Sequence, residues 1–227
     1  MKNIIIATAV LFTQFLSAQN VYLNKVEKVN DNKDKFFYKI NEKEEEAMYL
    51  GELEVQGFSR DDASVFSMIY KKAKEIGANG FTLKPFQTVD GTNVEFNPSN
   101  YRLNLYYVSQ ENLVLPVQQI YLFASSEKNQ KISINNKDYI LSPRSYIEMK
   151  AIPEVIYTIS TKKLLGSTIK LQIKPNQASQ YFQVSSAKIK SNTYGEGGIN
   201  LKTGDIIGLE RSYAEFLSVI YQKQAIN

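Results

Sequence analysis

The hydrophobic positions follow three patterns along the chain, and each predicts a different element. An unbroken apolar run from Ile4 to Leu16 follows Lys2 near the N-terminus. Strict alternation of apolar and polar residues begins at Ala47, and apolar residues three or four apart follow Gly57. These patterns are typical of a targeting segment, a half-buried strand and an amphipathic helix, respectively.

Residues 1–18 have the order of a bacterial secretory signal peptide: a positive residue, an apolar core and small residues at the cleavage site. Cleavage is predicted between Ala18 and Gln19. The apolar core is shorter than the roughly 20 residues of a spanning helix, so a retained membrane anchor is the less favoured alternative. No cysteine follows the core, so no covalent lipid anchor is expected. We therefore expect an exported protein of the periplasm or one associated with the outer membrane.

Residues 19–46 form a polar N-terminal segment, in which residues 36–40 could form a strand. Residues 36–110 are predicted to form a small α+β domain, with one helix packed on a short sheet. In the strand that starts at Ala47, Glu52 and Glu54 lie on the polar face, which we interpret as exposed sheet surface.

The helix of this domain carries recognisable end signals. Ser59 and Asp62 have the spacing of a capping box at its start, and Gly77 suits a left-handed residue at its end. Two further strands are predicted, one beginning at Phe81 and one over residues 101–107.

Residues 109–117 read as a linker, and residues 118–227 are predicted to form a β-sandwich-like domain with a C-terminal helix. Asn135-Asn136 is a hairpin signal, although Lys137 stands where a two-residue turn favours glycine. Ser212 and Glu215 have capping-box spacing at the start of the last helix. The predicted strands cover residues 120–124, 131–134, 138–141, 145–151, 155–161, 168–174 and 181–185. The clearest is the sixth, with Ile169, Leu171 and Ile173 inward and Lys170, Gln172 and Lys174 outward.

Two parts of the chain resemble known families. The strand over residues 50–55, the following helix and the turn Gly77-Ala78-Asn79-Gly80 resemble small bacterial envelope domains, of which the Rcs stress-sensor lipoprotein is one. The cysteines of that sensor are absent here, so its sensor role is not implied. Residues 132–137, Ser145-Tyr146-Ile147 and residues 181–184 resemble a family of exported β-sandwich domains of unknown function, without its glycines at Lys137 and Ser145. The second resemblance implies a fold and a compartment rather than an activity.

Composition narrows the possible chemistry. The 227 residues include no histidine and no cysteine, which excludes a thiol nucleophile, a Ser-His-Asp triad and an ordinary zinc site. The formal net charge is +4, and lysines alternate with acidic residues instead of forming a basic face, so no nucleic-acid partner is expected.

The remaining motifs have simple structural explanations. Glu52 and Glu54 are the candidates for carboxylate-based glycan hydrolysis, which needs two such groups across a cleft. Asp31 and Asp34 lack the glycine and final glutamate of a calcium loop, and residues 195–198 lack the Lys-Ser/Thr of a phosphate-binding loop. Aromatic residues could line a groove for a peptide or glycan, or could be cross-strand pairs of a sheet: Tyr106, Tyr107, Tyr121, Phe123 and Tyr146.

The sequence therefore predicts an exported, non-catalytic binding or assembly module of the bacterial cell envelope, with an envelope protein or peptide as its partner. A crevice between the two domains, near residues 108–119, is one predicted location for binding. No catalytic, metal-binding or cofactor-binding residue is assigned, no cofactor is expected, and the oligomeric state is left open. The alternatives are a soluble periplasmic carrier of a small apolar ligand and a carboxylate-based glycan hydrolase.

Overall fold

The structure is a computed structural model, and it describes residues 19–42, 46–57, 59–162, 166–184, 202–203 and 205–226. The described strands are β1 (Asn20–Val26), β2 (Tyr38–Lys39), β3 (Ala47–Gln56), β4 (Gly80–Lys84), β5 (Asn100–Val108), β6 (Gln119–Phe123), β7 (Gln130–Ile134), β8 (Lys137–Leu141), β9 (Ser145–Lys150), β10 (Ile156–Thr161), β11 (Thr168–Gln172), β12 (Gln180–Val184), β13 (Lys202–Thr203), β14 (Ile206–Gly208) and β15 (Gln222–Gln224). The described helices are α1 (Asp62–Glu75), α2 (Arg211–Ile220) and a 3-10 turn at Gln110–Asn112. The fold class is α+β, as predicted. None of the helices in these ranges is long and apolar enough to cross a membrane.

The chain divides into two compact units. The first unit contains the described residues up to Lys33 together with Ala47–Tyr107, and the second contains Asp34–Glu46 with the described residues from Val108 onward. Residues 34–46, which include the start of the predicted domain over residues 36–110, thus group with the second unit. The predicted strand at residues 36–40 is the two-residue β2 of that unit. The polar segment also contains β1, which was not predicted.

In the first unit the strand order is β1-β3-β5-β4, and α1 packs beside β1. β1 and β3 are antiparallel, as are β4 and β5. Strand and helix side chains form the core of this unit, where Leu53, Val55, Ile69, Phe81 and Leu103 have no exposed surface. The alternation in β3 and the three- and four-residue spacing in α1 thus both point their apolar residues to this core.

The ends of α1 follow partly from the predicted signals. The N-cap is Asp61, whose side chain accepts a hydrogen bond from the Ser64 N–H at 3.1 Å. The predicted capping box was wrong, because Ser59 lies two residues before the N-cap and its hydroxyl accepts from the Asp61 N–H. Gly77 has φ of +76°, which confirms the left-handed residue after the helix. A side chain at Gly77 would collide with the carbonyl oxygen of Asn30.

The second unit contains two sheets, with strand orders β11-β10-β7-β8 and β13-β14-β12-β6-β9-β15. One hydrophobic cluster includes residues from both sheets, which makes this unit a β-sandwich. Its members include Ile132 and Ile159 of the first sheet and Ile120, Leu122 and Val184 of the second.

The β7–β8 hairpin and α2 are the remaining predicted features of this unit. Asn135 and Asn136 have φ of +47° and +66°, so both central residues of the two-residue turn are left-handed and the hairpin is confirmed. The capping box at the start of α2 was wrong, since Glu210 is the N-cap and accepts from the Tyr213 N–H at 3.1 Å. Glu215, predicted for the cap, is buried on the inner side of the helix.

Candidate functional site

Glu52 and Glu54 are buried, so the prediction that they lie on an exposed sheet surface was wrong. Arg102 of β5 places its Nε 2.7 Å from Glu54 Oε2 and 3.5 Å from Glu52 Oε1. Lys84 of β4 pairs with Glu52. Because Lys84 and Arg102 are directly opposite each other on neighbouring strands, both cations reach the carboxylates from one side.

Neutral donors complete the surroundings of Glu54. Gln56 Nε2 donates to its Oε1 at 2.5 Å, and Asn24 Nδ2 donates to its Oε2 at 2.7 Å. The hydrogen bond from Gln56, followed by those from Arg102 and Asn24, lowers the pKa of Glu54 despite its burial. A glycosidase needs one carboxyl group with a raised pKa to protonate the leaving group. This pair instead forms a neutralised ionic cluster, which favours a structural role.

The aromatic candidates are divided between the two units. In the second unit, the Tyr121 ring stacks on that of Tyr181 with centroids 4.9 Å apart, and Phe123 stacks on Tyr146 at 5.3 Å. In the first unit, Tyr106 meets Tyr49 edge to face at 5.6 Å. These contacts are the cross-strand and inter-element packing that was the alternative to a ligand groove.

A buried acid lies beside this aromatic cluster. Arg211 Nε donates to Glu215 Oε1 at 2.6 Å, and the Lys39 N–H donates to Oε2 at 2.8 Å. Burial raises the pKa of Glu215, although the Arg211 charge opposes that shift. Both oxygens of Glu215 thus bind to groups of its own unit, and the carboxylate fastens α2 to the segment that contains β2.

Two residues of the Asp31–Asp34 stretch take part in hydrogen bonds within the chain. Asp34 Oδ1 accepts from the Phe36 N–H at 2.9 Å, and Asn32 Nδ2 donates to the Gly77 carbonyl at 3.2 Å. Among the described residues, no three His, Cys, Asp or Glu side chains are grouped so that they could hold a metal ion. Residues 195–198 and the predicted cleavage residue Ala18 lie outside the described ranges. Gln19, on the other side of that bond, is buried, and its Nε2 donates to the Pro98 carbonyl at 3.4 Å.

Three strands at the ends of the described sheets differ in how their edges are protected. β1 is interrupted by a register shift between Leu23 and Lys25, a bulge that disturbs a regular edge. On β8, the Ile140 carbonyl accepts from Gln224 Nε2 at 3.5 Å, so a side chain covers part of that edge. β11 is paired with β10 in five consecutive positions without a shift. β8 is paired with β7 just as regularly over five positions, so these two edges differ in the Gln224 contact to the Ile140 carbonyl.

The register of β11 shows which of its backbone groups face outward. The Thr161 N–H donates to the Ser167 carbonyl at 2.9 Å, in line with the β10–β11 register. Hydrogen-bonded and non-bonded pairs alternate along an antiparallel ladder, so Ile169 and Leu171 bond to β10. The N–H and C=O of Lys170 consequently point away from β10. In the described part of the chain β11 is the last strand of this sheet on that side, and the Lys170 backbone is available for a further strand.

Side-chain burial on β11 agrees with the predicted alternation. Lys170 is exposed, whereas Ile169 and Leu171 are half-buried and pack against the core of the sandwich. The alternation predicted this strand correctly, but a pattern within one strand does not show whether the strand lies at the edge of a sheet.

No family model, no curated protein and no solved structure matches this chain.

Proposed function

We propose that this chain is an exported, non-catalytic binding module of the cell envelope, which takes up an extended segment of a partner protein along β11. The observation that carries this proposal is the regular edge of β11, with the Lys170 N–H and C=O directed outward. Pairing of an extended segment with such an edge is a recurrent mode of peptide recognition, in which backbone hydrogen bonds supply much of the affinity.

Three observations support a non-catalytic role. The sequence has no histidine or cysteine. Glu52 and Glu54 are occupied by Arg102, Lys84 and neutral donors. Both oxygens of Glu215 accept hydrogen bonds within the second unit. The carboxylates that could have served glycan hydrolysis therefore have structural partners.

The apolar-carrier alternative gains no comparable support. The side chains that would have to line an apolar cavity in the sandwich, such as Leu122, Ile132 and Ile159, are fully buried against one another in the shared cluster. A ligand there would have to displace packed side chains.

A pair of substitutions at one position tests the proposal. Lys170→Pro removes an outward N–H without removing a hydrogen bond to β10, whereas Lys170→Ala removes only the charged side chain. A photoreactive amino acid is placed at the exposed Thr168 of each variant, and crosslinks are formed in intact cells and identified by mass spectrometry. We expect a discrete adduct with an envelope protein in the Lys170→Ala chain and its loss in the Lys170→Pro chain.

Two controls make this result interpretable. The same photoreactive residue at Tyr22, exposed on the bulged edge of β1, should give no such adduct. Equal unfolding midpoints of the two Lys170 variants show that proline has not unfolded the sheet. Equal adducts from both variants, or none with any envelope protein, would overturn strand addition. Intact mass of the recovered chain tests export separately, with a mature form starting at Gln19 expected.

A further inference from the structure

The outer face of the β11-β10-β7-β8 sheet has a positive charge. Lys170 is directly opposite Thr158 on β10, and Lys162 meets Lys131 one residue beyond the paired part of β10 and β7. The cross-strand alternation places these three lysines on the same face, and all are exposed. Acids also lie at this face in the described residues: Asp138 is 3.1 Å from Lys162, and Glu154 Oε2 accepts from Gln172 Nε2 of β11 at 3.2 Å. Lys131 and Lys170 have no ion pair within the described residues.

A strand added to β11 would meet these charges at defined positions. The residue opposite Lys170 would have its side chain on the same outer face, within reach of the ammonium group. A lysine or arginine there would be repelled, whereas aspartate or glutamate would form a cross-strand ion pair. The flanking residues of the added strand would point to the other face, beside the half-buried Ile169 and Leu171.

We infer that the segment bound along β11 is acidic, with Asp or Glu alternating with apolar side chains. This inference rests on the proposed function, because it specifies the chemistry of the strand that β11 accepts. A second copy of β11 fits less well, since a symmetric antiparallel pair centred on Lys170 would place two lysines opposite each other.

Three synthetic nine-residue peptides test the inference. They share alternating valines, and the intervening positions are all glutamate, all glutamine or all lysine. Binding of each labelled peptide to the full chain is measured by fluorescence anisotropy at low and high salt. We expect the glutamate peptide to bind most tightly and the lysine peptide most weakly, with about a fivefold difference for each favourable ion pair. High salt should reduce this preference.

Substitutions at Lys170 separate this inference from the proposed function. Lys170→Glu should reverse the order of the glutamate and lysine peptides, and Lys170→Ala should weaken the preference while binding persists. Lys170→Pro should abolish binding of all three peptides. Lys131→Glu, on the same face but two strands away, should have a smaller effect than Lys170→Glu.

Each failure has a different meaning. Equal binding of all three peptides that is lost in Lys170→Pro would overturn the acidic specificity and leave strand addition intact. Absence of peptide binding to the unaltered chain would overturn both. Salt-sensitive binding of the glutamate peptide that survives Lys170→Pro would also overturn both, because it would show that the lysines bind anionic groups without backbone pairing.

Discussion

Replacement of Arg102 by methionine should destabilise the first unit through one carboxylate in particular. Arg102 contacts both Glu54 and Glu52, but Glu52 keeps Lys84 after the substitution. Glu54 would lose its only cation in the described cluster, while its side chain is 8% exposed. Arg102 also lies over the Phe86 ring, 4.5 Å from its centroid.

The expected magnitude follows from the burial of the two partners. Breaking a fully buried ion pair costs about 3–5 kcal/mol, but the Arg102 side chain is 35% exposed and part of its interaction is screened. We expect a loss of about 2 kcal/mol from the carboxylate, and a further ~0.5–1 kcal/mol from the cation–π contact. The free energy of unfolding should therefore fall by about 3 kcal/mol at pH 7.

The pH dependence gives this prediction a sign. In the unaltered chain the pKa of Glu54 is lowered, so its stabilising contribution is present above the unfolded pKa and is lost as pH falls through the folded pKa. In Arg102→Met, Glu54 keeps the hydrogen bonds from Gln56 and Asn24 but has no cation, so its folded-state pKa should be higher than in the unaltered chain and acidification should cost the variant less stability. The two stabilities should thus converge between pH 7 and pH 4.

Urea denaturation followed by circular dichroism at both pH values measures this difference. Lys128→Met, at an exposed loop position, is the control and should change stability by less than about 0.5 kcal/mol. A double-mutant cycle with Glu54→Gln tests the partner: in the Glu54→Gln background, Arg102→Met should lower the free energy of unfolding by less than it does in the unaltered chain. A loss below about 1 kcal/mol at pH 7, or the same loss at both pH values, would refute this explanation of the cluster.

Three further predictions concern local geometry. Gly77→Ala should lower the free energy of unfolding by more than about 2 kcal/mol in thermal unfolding, because the new Cβ collides with backbone atoms and the residue keeps φ of +76°. Gly91 also has a positive φ, +81°, but a Cβ there meets no atom within 4 Å, so Gly91→Ala should lower that free energy by only about 1 kcal/mol. Asp61→Ala should lower the free energy of unfolding by about 1 kcal/mol through loss of the N-cap, and Ser59→Ala should lower it clearly less. Equal effects of the two substitutions would contradict the assignment of Asp61 as the cap. Burial raises the pKa of Tyr38 from 10.0 to about 12, so the contribution of Tyr38 to stability is complete below pH 10 and is lost as pH rises toward 12. The difference in unfolding free energy between the unaltered chain and Tyr38→Phe, measured by urea unfolding, should therefore shrink over that range. A constant difference would contradict this prediction.

Features set by neighbouring residues could be predicted from the sequence. The strand β3, the left-handed Gly77 and the Asn135-Asn136 turn each depend on a few consecutive residues, and all three are present. The burial of Glu54 was missed for a physical reason. Alternation separates two faces of a strand but does not show that Arg102, 48 positions away, will cover the polar one.

The same limitation applies to the candidate site. The sequence assigned Lys170 to the outward face of its strand, and the structure agrees. Whether the backbone of that strand is paired on both sides depends on the strand order, which is set by contacts between distant segments. β1 was not predicted because its few apolar residues, such as Val21 and Leu23, lie in a mainly polar segment, and in the structure they are only half-buried.

The contrast among the three compared edges favours a binding role for β11 over an accident of the fold. An open, regular edge promotes unwanted pairing with other chains, and proteins usually suppress it with bulges, cover or charge. Here β1 has a bulge and β8 is covered in part by Gln224, whereas β11 has only the charge of Lys170. That charge does not occupy the backbone groups; it repels a second lysine and attracts an acid. Under the proposed function, this charge would disfavour pairing between copies of β11 and leave the edge open to a strand of opposite charge, which is the combination that a selective binding edge requires.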